Sequence, residues 1–300
     1  DRIILTASTS EAYSYLFKLL ADPEDEILVP RPSYPLFDFL AALEMVRVIH
    51  YPLEYDGDWR FDVQALSRHV TGRTRAVVLV NPNNPTGSFL KRGELRELET
   101  LCRERSLAII SDEVFSEYAF EDDPGRAVSL SSVDSVLTFT LDGLSKAAGL
   151  PQMKLAWIRV NGPPQMVADA LSRLELISDT YLSVSTPVQH AVPALLKAGE
   201  DVRQQIRERT AGNLTVLRSL ISPQSPARLL HVEGGWYATL QLPRIRPEEE
   251  WVIDLLEQQN TLVQPGFFYD FASEAFVILS LLTKPPVFRE GAQRLLRFAG

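Results

Sequence analysis

Short apolar runs alternate with helical patterns over the first half of the chain. The runs are rich in β-branched residues and predict strands at 3–6, 27–30, 46–51, 76–80, 107–111, 135–141 and 154–160. Between the earlier runs, apolar residues recur every three to four positions and predict helices at 10–20, 35–43, 62–70 and 91–105. Strands that alternate with amphipathic helices are typical of βαβ units. The pattern therefore predicts an α/β fold, a three-layer sandwich around a mostly parallel central sheet.

The pattern changes in the second half of the chain. Pro163-Pro164 opens a long helical region, whose apolar positions between Val202 and Ile221 share one helix face. The remaining elements are predicted as strands 228–233 and 235–242, helix 247–259, strands near 261–265 and 275–280, and helix 286–299. We expect a large domain over residues 1–198 and a smaller C-terminal α+β domain over residues 199–300. Because the chain begins at Asp1 directly in a strand pattern, we also expect that an N-terminal segment is missing.

Composition excludes some functions. The 300 residues are 45% hydrophobic and 23% charged, as in ordinary soluble globular proteins. A net charge of −9 argues against nucleic-acid binding, which needs a basic surface. The longest apolar stretches, such as Phe276–Leu279, are too short to span a bilayer, so no membrane partner is expected.

The cysteine and histidine content bears on localisation and metals. Cys102 is the single cysteine and has no internal disulfide partner, which fits a reducing, cytoplasmic location. It falls in a helical pattern, so we interpret it as a packed thiol. The four histidines are dispersed and lack the spacing of metal ligands, so no metal site is expected.

Three polar residues follow three predicted strands. Asn84 lies in Asn81-Pro-Asn-Asn-Pro-Thr-Gly87, Asp112 in Ser111-Asp-Glu113, and Lys146 in Leu144-Ser-Lys146. An amide, a carboxylate and an amine at strand ends could hold a pyridine-aldehyde cofactor by its ring oxygen, its ring nitrogen and its aldehyde carbon. Each residue also has a structural alternative. Lys146 would be a solvated surface group, Asp112 a helix cap or a salt-bridge partner, and Asn84 a turn residue.

Two further groups fit the same ligand. Ser8, Thr9 and Ser10 follow a strand and open a helix, where backbone N–H groups and hydroxyls can surround a phosphate. The alternative is ordinary helix capping. Tyr34 follows the strand at 27–30, and its ring could stack on a planar cofactor. The alternative is an aromatic residue of the core.

Four motifs together resemble the class I/II aminotransferases of fold type I, which use pyridoxal 5′-phosphate. The motifs are Pro85-Thr-Gly87, Ser111-Asp-Glu113, Leu144-Ser-Lys146 and Gly234-Gly-Trp-Tyr237, and the similarity runs from about residue 3 to residue 298. The resemblance implies a fold type I large domain, a homodimer, and ping-pong transfer of an amino group from an amino donor to a keto acceptor.

The resemblance also implies a role for each site residue. Lys146 would carry the Schiff base, and Asp112 would pair with the pyridine nitrogen. Asn84 would meet the ring oxygen, and Tyr34 would stack on the ring. The phosphate would be held by Ser8, Thr9, Ser10, Ser145 and Lys154.

The chain departs from the family pattern at three positions. Lys154 stands where the family usually has an arginine for the phosphate, so the bidentate fork is lost. Phe115 stands where a tyrosine usually meets the ring oxygen. Ile278 matches the arginine that usually holds the substrate α-carboxylate. Lys284, Arg289 or backbone donors are the alternatives for that carboxylate.

These departures leave other functions open. A lyase, a decarboxylase or a racemase would use the same cofactor and would begin with the same bond between the substrate amine and the cofactor aldehyde carbon. A non-catalytic, ligand-sensing aminotransferase-like domain is a third hypothesis, which Ile278 and Phe115 keep open.

Overall fold

The computed structural model describes residues 2–300, and its central feature is an eight-stranded sheet. The strands follow each other across the sheet in the order β1-β8-β7-β6-β5-β2-β3-β4. They are β1 (Ile3–Thr6), β2 (Glu26–Arg31), β3 (Arg47–Tyr55), β4 (Trp59–Phe61), β5 (Thr74–Val80), β6 (Ala108–Asp112), β7 (Thr138–Gly143) and β8 (Ala156–Asn161). In the order across the sheet, the pairs β7–β6, β6–β5, β5–β2 and β2–β3 are parallel. β8 pairs antiparallel with β7 and with β1, and β4 pairs antiparallel with β3. The predicted mostly parallel sheet is confirmed.

Helices cover both faces of this sheet, and others pack on a second sheet in the C-terminal part. In chain order they are α1 (Thr9–Leu20), α2 (Phe37–Leu43), α3 (Val63–Ser67), α4 (Arg92–Arg105), α5 (Leu144–Ala147), α6 (Pro164–Asp179), α7 (Thr186–Leu220), α8 (Glu248–Gln259) and α9 (Pro285–Ala299). α8 and α9 belong to the second group. Successive residues of a strand point to opposite faces. Accordingly, Ile27 and Val29 pack with α1 and α6, whereas Leu28 packs with α3 and α4. This burial on both sides is the predicted three-layer sandwich.

The C-terminal part forms a second, antiparallel sheet. Its strands follow the order β11-β12-β10-β9. They are β9 (Arg228–Leu229), β10 (Tyr237–Gln241), β11 (Gln264–Pro265) and β12 (Phe276–Ser280). Leu217 of α7, Trp251 of α8 and Leu295 of α9 are buried together against it. The smaller α+β unit is therefore present as predicted.

Two local predictions were wrong, and one short strand was missed. The strand predicted at 228–233 is only two residues long, because the backbone of Glu233 bonds to the carbonyl of Gly87 instead of continuing in the sheet. The helical region after Pro163 is two helices, separated at residues 180–185. β4 was not predicted, because three residues are too few to show a period.

The predicted domain boundary at residues 198/199 falls inside α7, which runs through it as one helix. This boundary therefore stays a prediction. Among residues 2–300, no helix combines the length and the apolar character that a membrane crossing requires.

The two parts of the chain meet at the turn that follows β5. The carbonyl of Gly87 accepts hydrogen bonds from Glu233 N–H at 3.2 Å and from Gly234 N–H at 3.0 Å. Gly87 has φ +71°, and a Cβ there would lie 2.3 Å from the Val232 side chain and 2.4 Å from the Gly234 carbonyl oxygen. Glycine is required for this close approach, which brings Trp236 and Tyr237 toward the edge of the central sheet.

Candidate active site

The predicted site residues lie at one edge of the central sheet. β2, β5, β6 and β7 are parallel, and β1 runs in the same direction because it and β7 are both antiparallel to β8. The carboxyl ends of these strands therefore share an edge. In open α/β sheets, ligands bind at this edge.

A cavity of about 250 Å³ opens there. It is lined by seven of the nine predicted site residues: Ser8, Thr9, Tyr34, Asn84, Asp112, Ser145 and Lys146. The other two lie outside its lining. Ser10 contacts the hydroxyl of Tyr34, and Lys154 is exposed in a left-handed turn with φ +51°.

Lys146 is placed by the junction of β7 and α5. Gly143 ends the strand beside Ala156, so closely that an added Cβ would lie 2.8 Å from the Ala156 Cβ. The Lys146 ammonium lies 5.4 Å from the centre of the Trp236 ring and 5.9 Å from that of Phe115. Burial lowers the pKa of Lys146, and the charge of Asp112 partly opposes this change. A lowered pKa leaves more of the amine neutral and able to attack an aldehyde.

Asp112 lies at the end of β6 with both carboxylate oxygens occupied. Oδ2 accepts a hydrogen bond from the Tyr13 hydroxyl at 3.0 Å, and Oδ1 accepts one from Val114 N–H at 3.2 Å. Burial raises the pKa of Asp112 to about 6, while these hydrogen bonds and the charge of Lys146 oppose the rise. The carboxylate is therefore ready to pair with a cation inside the cavity.

Asn84 belongs to the turn after β5. Its Oδ1 is buried and makes no hydrogen bond within residues 2–300. The surrounding turn is well ordered, since Gly87 N–H donates to the Asn83 carbonyl at 2.8 Å and Asn83 N–H donates to the Ser88 carbonyl at 2.8 Å. Buried polar atoms are normally paired. This unpaired amide oxygen is therefore an acceptor available to a ligand.

Ser8 caps the N-terminus of α1, because its side chain accepts a hydrogen bond from Glu11 N–H at 3.1 Å. The capping alternative for this residue is thus realised. Capping uses a lone pair of the oxygen and leaves the hydroxyl proton free. Ser8 and Thr9 also line the cavity at the positive end of the helix, so capping and anion binding are compatible.

The C-terminal part of the chain supplies an aromatic wall through Trp236 and Tyr237. Ile278 is only 1% exposed and packs with Trp59 and Phe271. Neither Lys284 nor Arg289 lines the cavity, and Lys146 is the one cation among the described residues that do. Within residues 2–300, no guanidinium faces the cavity.

Sequence reasoning missed three features. Trp236 and Tyr237 were noted as a motif but not as cavity residues. Tyr13 was not considered, although a tyrosine on the apolar face of a helix needs a partner for its hydroxyl. A third feature is a cluster of Asp38, His50 and Asp270, whose ligand atoms lie within 4.8 Å of one another. These three are distant in the sequence, so spacing could not reveal the cluster.

The similarity to known proteins agrees with this geometry. The family model "Aminotransferase class I and II" matches residues 1–287. The chain is 27% identical over 297 residues to glutamate-pyruvate aminotransferase AlaA of Haemophilus influenzae, covering 96% of this chain and 73% of that protein. It is 26% identical over 277 residues to S-alkyl-thiohydroximate lyase SUR1 of Arabidopsis thaliana, covering 89% of this chain and 59% of that protein.

The fold is shared with solved aminotransferase structures. Alanine aminotransferase from Pyrococcus furiosus superposes with a TM-score of 0.88 at 24% identity, covering 99% of this chain and 76% of that chain. Fold and site thus define an enzyme of the fold type I aminotransferase class. More specifically, the chain belongs to the class I and II aminotransferase family.

Proposed function

We propose that this protein is an aminotransferase that uses pyridoxal 5′-phosphate to move an amino group from an amino acid to a keto acid. The observation that carries the proposal is the shared cavity of Lys146 and Asp112, with the unpaired amide of Asn84 beside them. When bound, the cofactor supplies an aldehyde carbon that bonds amines and a ring that accepts electrons.

The charged residues divide the proposed chemistry between them. The Lys146 amine would hold the cofactor through its aldehyde carbon and, once exchanged for the incoming amine, would hold and move the substrate proton. Burial supports this role because it lowers the pKa of the ammonium. Asp112, which is buried, would keep a positive charge on the ring nitrogen by ion pairing.

The neutral residues orient the cofactor. Asn84 would donate its amide N–H to the ring oxygen, and its buried, unpaired Oδ1 remains able to accept from a donor in the cavity. Tyr34 would stack on the ring. Ser8, Thr9 and Ser145 would bind the phosphate at the start of α1, and Ser10 would hold the Tyr34 hydroxyl. A phosphate contact of Lys154 stays a prediction, since that side chain lies outside the cavity lining.

The test uses the full-length protein with added cofactor. The wild type is expected to be yellow and to become covalently labelled at Lys146 on borohydride reduction. Lys146→Ala should lose the visible absorbance band, whereas Lys197→Ala, which removes an exposed lysine on α7, should keep it. A Lys146→Ala protein that retains the band, or a reduced adduct on another residue, would refute the assignment.

A lyase that uses the same cofactor is the second candidate. It is favoured by the similarity to SUR1 and by the lack of a guanidinium in the described part of the cavity. Product analysis with a panel of amino acids separates the two. A keto acid with the amine form of the cofactor supports transamination, and a cleaved carbon–sulfur bond supports the lyase.

We also propose a cytoplasmic homodimer. Leu176 and Leu182 are 72% and 93% exposed beside an open groove of the large domain, and burying such side chains favours self-association. The unpaired, buried Cys102 is consistent with a reducing compartment. Light scattering of the purified protein tests the dimer, and a monomer at micromolar concentration would argue against it.

A further inference from the structure

Tyr13, which lies outside the cavity, makes a hydrogen bond to the cavity carboxylate of Asp112. Tyr13 lies in α1, is 1% exposed, and donates its hydroxyl proton to Asp112 Oδ2 at 3.0 Å. The two residues are 99 positions apart in the chain. Tyr13 does not line the cavity, so it acts on the site through Asp112.

The ring of Tyr13 is held firmly in place. Its centre lies 5.2 Å from that of Phe37, with the planes at 85°, and 5.9 Å from that of Phe17, with the planes at 41°. Both contacts lie within the range of favourable aromatic pairs. Because the ring has little freedom, the hydroxyl has one direction in which to donate.

We propose that Tyr13 is a positioning residue that fixes the orientation of Asp112 and keeps it ionised for the cationic ring nitrogen of the cofactor. This inference rests on the proposed function. Asp112 has two donors, Tyr13 and Val114 N–H, on different oxygens. Each carboxylate oxygen has a second lone pair, so the carboxylate can still accept from a ligand in the cavity.

The electrostatic surroundings show why a donor is needed. Burial raises the pKa of Asp112, and the charge of Asp112 in turn raises the pKa of its neighbours Glu113 and Asp142. On the other side, Lys146 from α5 favours the ionised form. Burial also raises the pKa of Tyr13 well above its ordinary value, so its hydroxyl remains a donor at every working pH. Tyr34, the remaining titratable group near Asp112, also keeps its proton because burial raises its pKa.

The decisive variant is Tyr13→Phe, which removes the hydroxyl and keeps the ring between Phe17 and Phe37. Tyr15→Phe is the matched control, since Tyr15 is also buried on α1 but its hydroxyl contacts Glu11. The first readout needs no cofactor. Carboxyl carbon NMR of protein labelled at aspartate, with Asp112→Asn for assignment, follows the titration of Asp112.

In Tyr13→Phe, the titration midpoint of Asp112 should rise by about one pH unit, and the affinity for pyridoxal 5′-phosphate should fall roughly tenfold. Tyr15→Phe should change neither. In an Asp112→Asn background, Tyr13→Phe should have little further effect on the affinity. An unchanged titration midpoint of Asp112 in Tyr13→Phe would overturn the proposal. So would effects of Tyr13→Phe and Asp112→Asn on the affinity that simply add in the double variant. Failure of the Lys146 test would refute the cofactor chemistry, whereas the apo titration tests Tyr13 independently of it.

Discussion

Asp112→Asn should stabilise the cofactor-free protein near neutral pH. The pKa of this carboxyl rises from 3.8 to about 6 on folding, chiefly because the group is buried. At pH 7 the folded protein must keep a charge that burial disfavours. Each unit of pKa corresponds to about 1.4 kcal/mol, so ionised Asp112 costs the folded state about 3 kcal/mol.

The amide removes the charge but not the need for hydrogen bonds. Tyr13 and Val114 donate to different oxygens of Asp112, and asparagine has only one acceptor oxygen. Losing one of these bonds costs about 1 kcal/mol. The expected net gain in the free energy of unfolding is therefore about 2 kcal/mol at pH 7.

The pH dependence gives the sharper test. Between pH 3.8 and about 6 the folded protein binds the Asp112 proton more tightly than the unfolded chain does. Stability of the wild type therefore falls as the pH rises through this window, and the penalty is complete above it. The advantage of Asp112→Asn should be present near pH 7.5 and absent near pH 4.

Urea denaturation of both apo proteins at these two pH values measures the difference. Asp123→Asn is the control, because the pKa of exposed Asp123 is lowered, first by a hydrogen bond from Gly125 N–H. Neutralising Asp123 should not increase the free energy of unfolding. Equal stability of wild type and Asp112→Asn at both pH values would refute the reasoning that burial penalises this charge.

Three further changes test the packing and charges of the fold. Trp251→Ala removes a side chain that is 1% exposed and should cost about 3–5 kcal/mol in chemical denaturation; a cost below about 1 kcal/mol would contradict its placement in the core. Glu233→Gln removes the carboxylate that lies 2.9 Å from the buried guanidinium of Arg126, which then keeps the longer, 3.7 Å contact with Asp123, and should cost about 3 kcal/mol. Glu290→Gln at an exposed pair should cost less than about 0.5 kcal/mol. Cys102 is buried and its pKa is raised to about 12, so mass spectrometry should detect thiol labelling only in denaturant.

Much of the fold was predictable because the periodicity of apolar residues within each element indicates its secondary structure. The strand prediction at 27–30 matches Glu26–Arg31, and the helix prediction at 91–105 matches Arg92–Arg105. These elements are long and amphipathic or fully apolar, so the local pattern and the final burial agree. β9 is shorter than predicted because a distant turn takes its backbone hydrogen bonds.

The candidate site was predictable for a related reason. Residues that follow parallel strands meet at one edge of the sheet, so the sequence alone predicts that Asn84, Asp112 and Lys146 lie together. Lys154 was assigned by resemblance alone. The structure leaves it exposed, because its left-handed backbone ends a short 3₁₀ segment outside the cavity.

The sequence by itself determined the alternation of strands and helices, the layered class of the fold, and the order of the polar residues at the strand ends. Only the tertiary structure decided which of those residues share a cavity, that Tyr13 holds Asp112, and that an apolar cluster surrounds Ile278. The reason is physical. Periodicity records which face of an element is buried, whereas a hydrogen bond between side chains 99 positions apart depends on how separate elements pack.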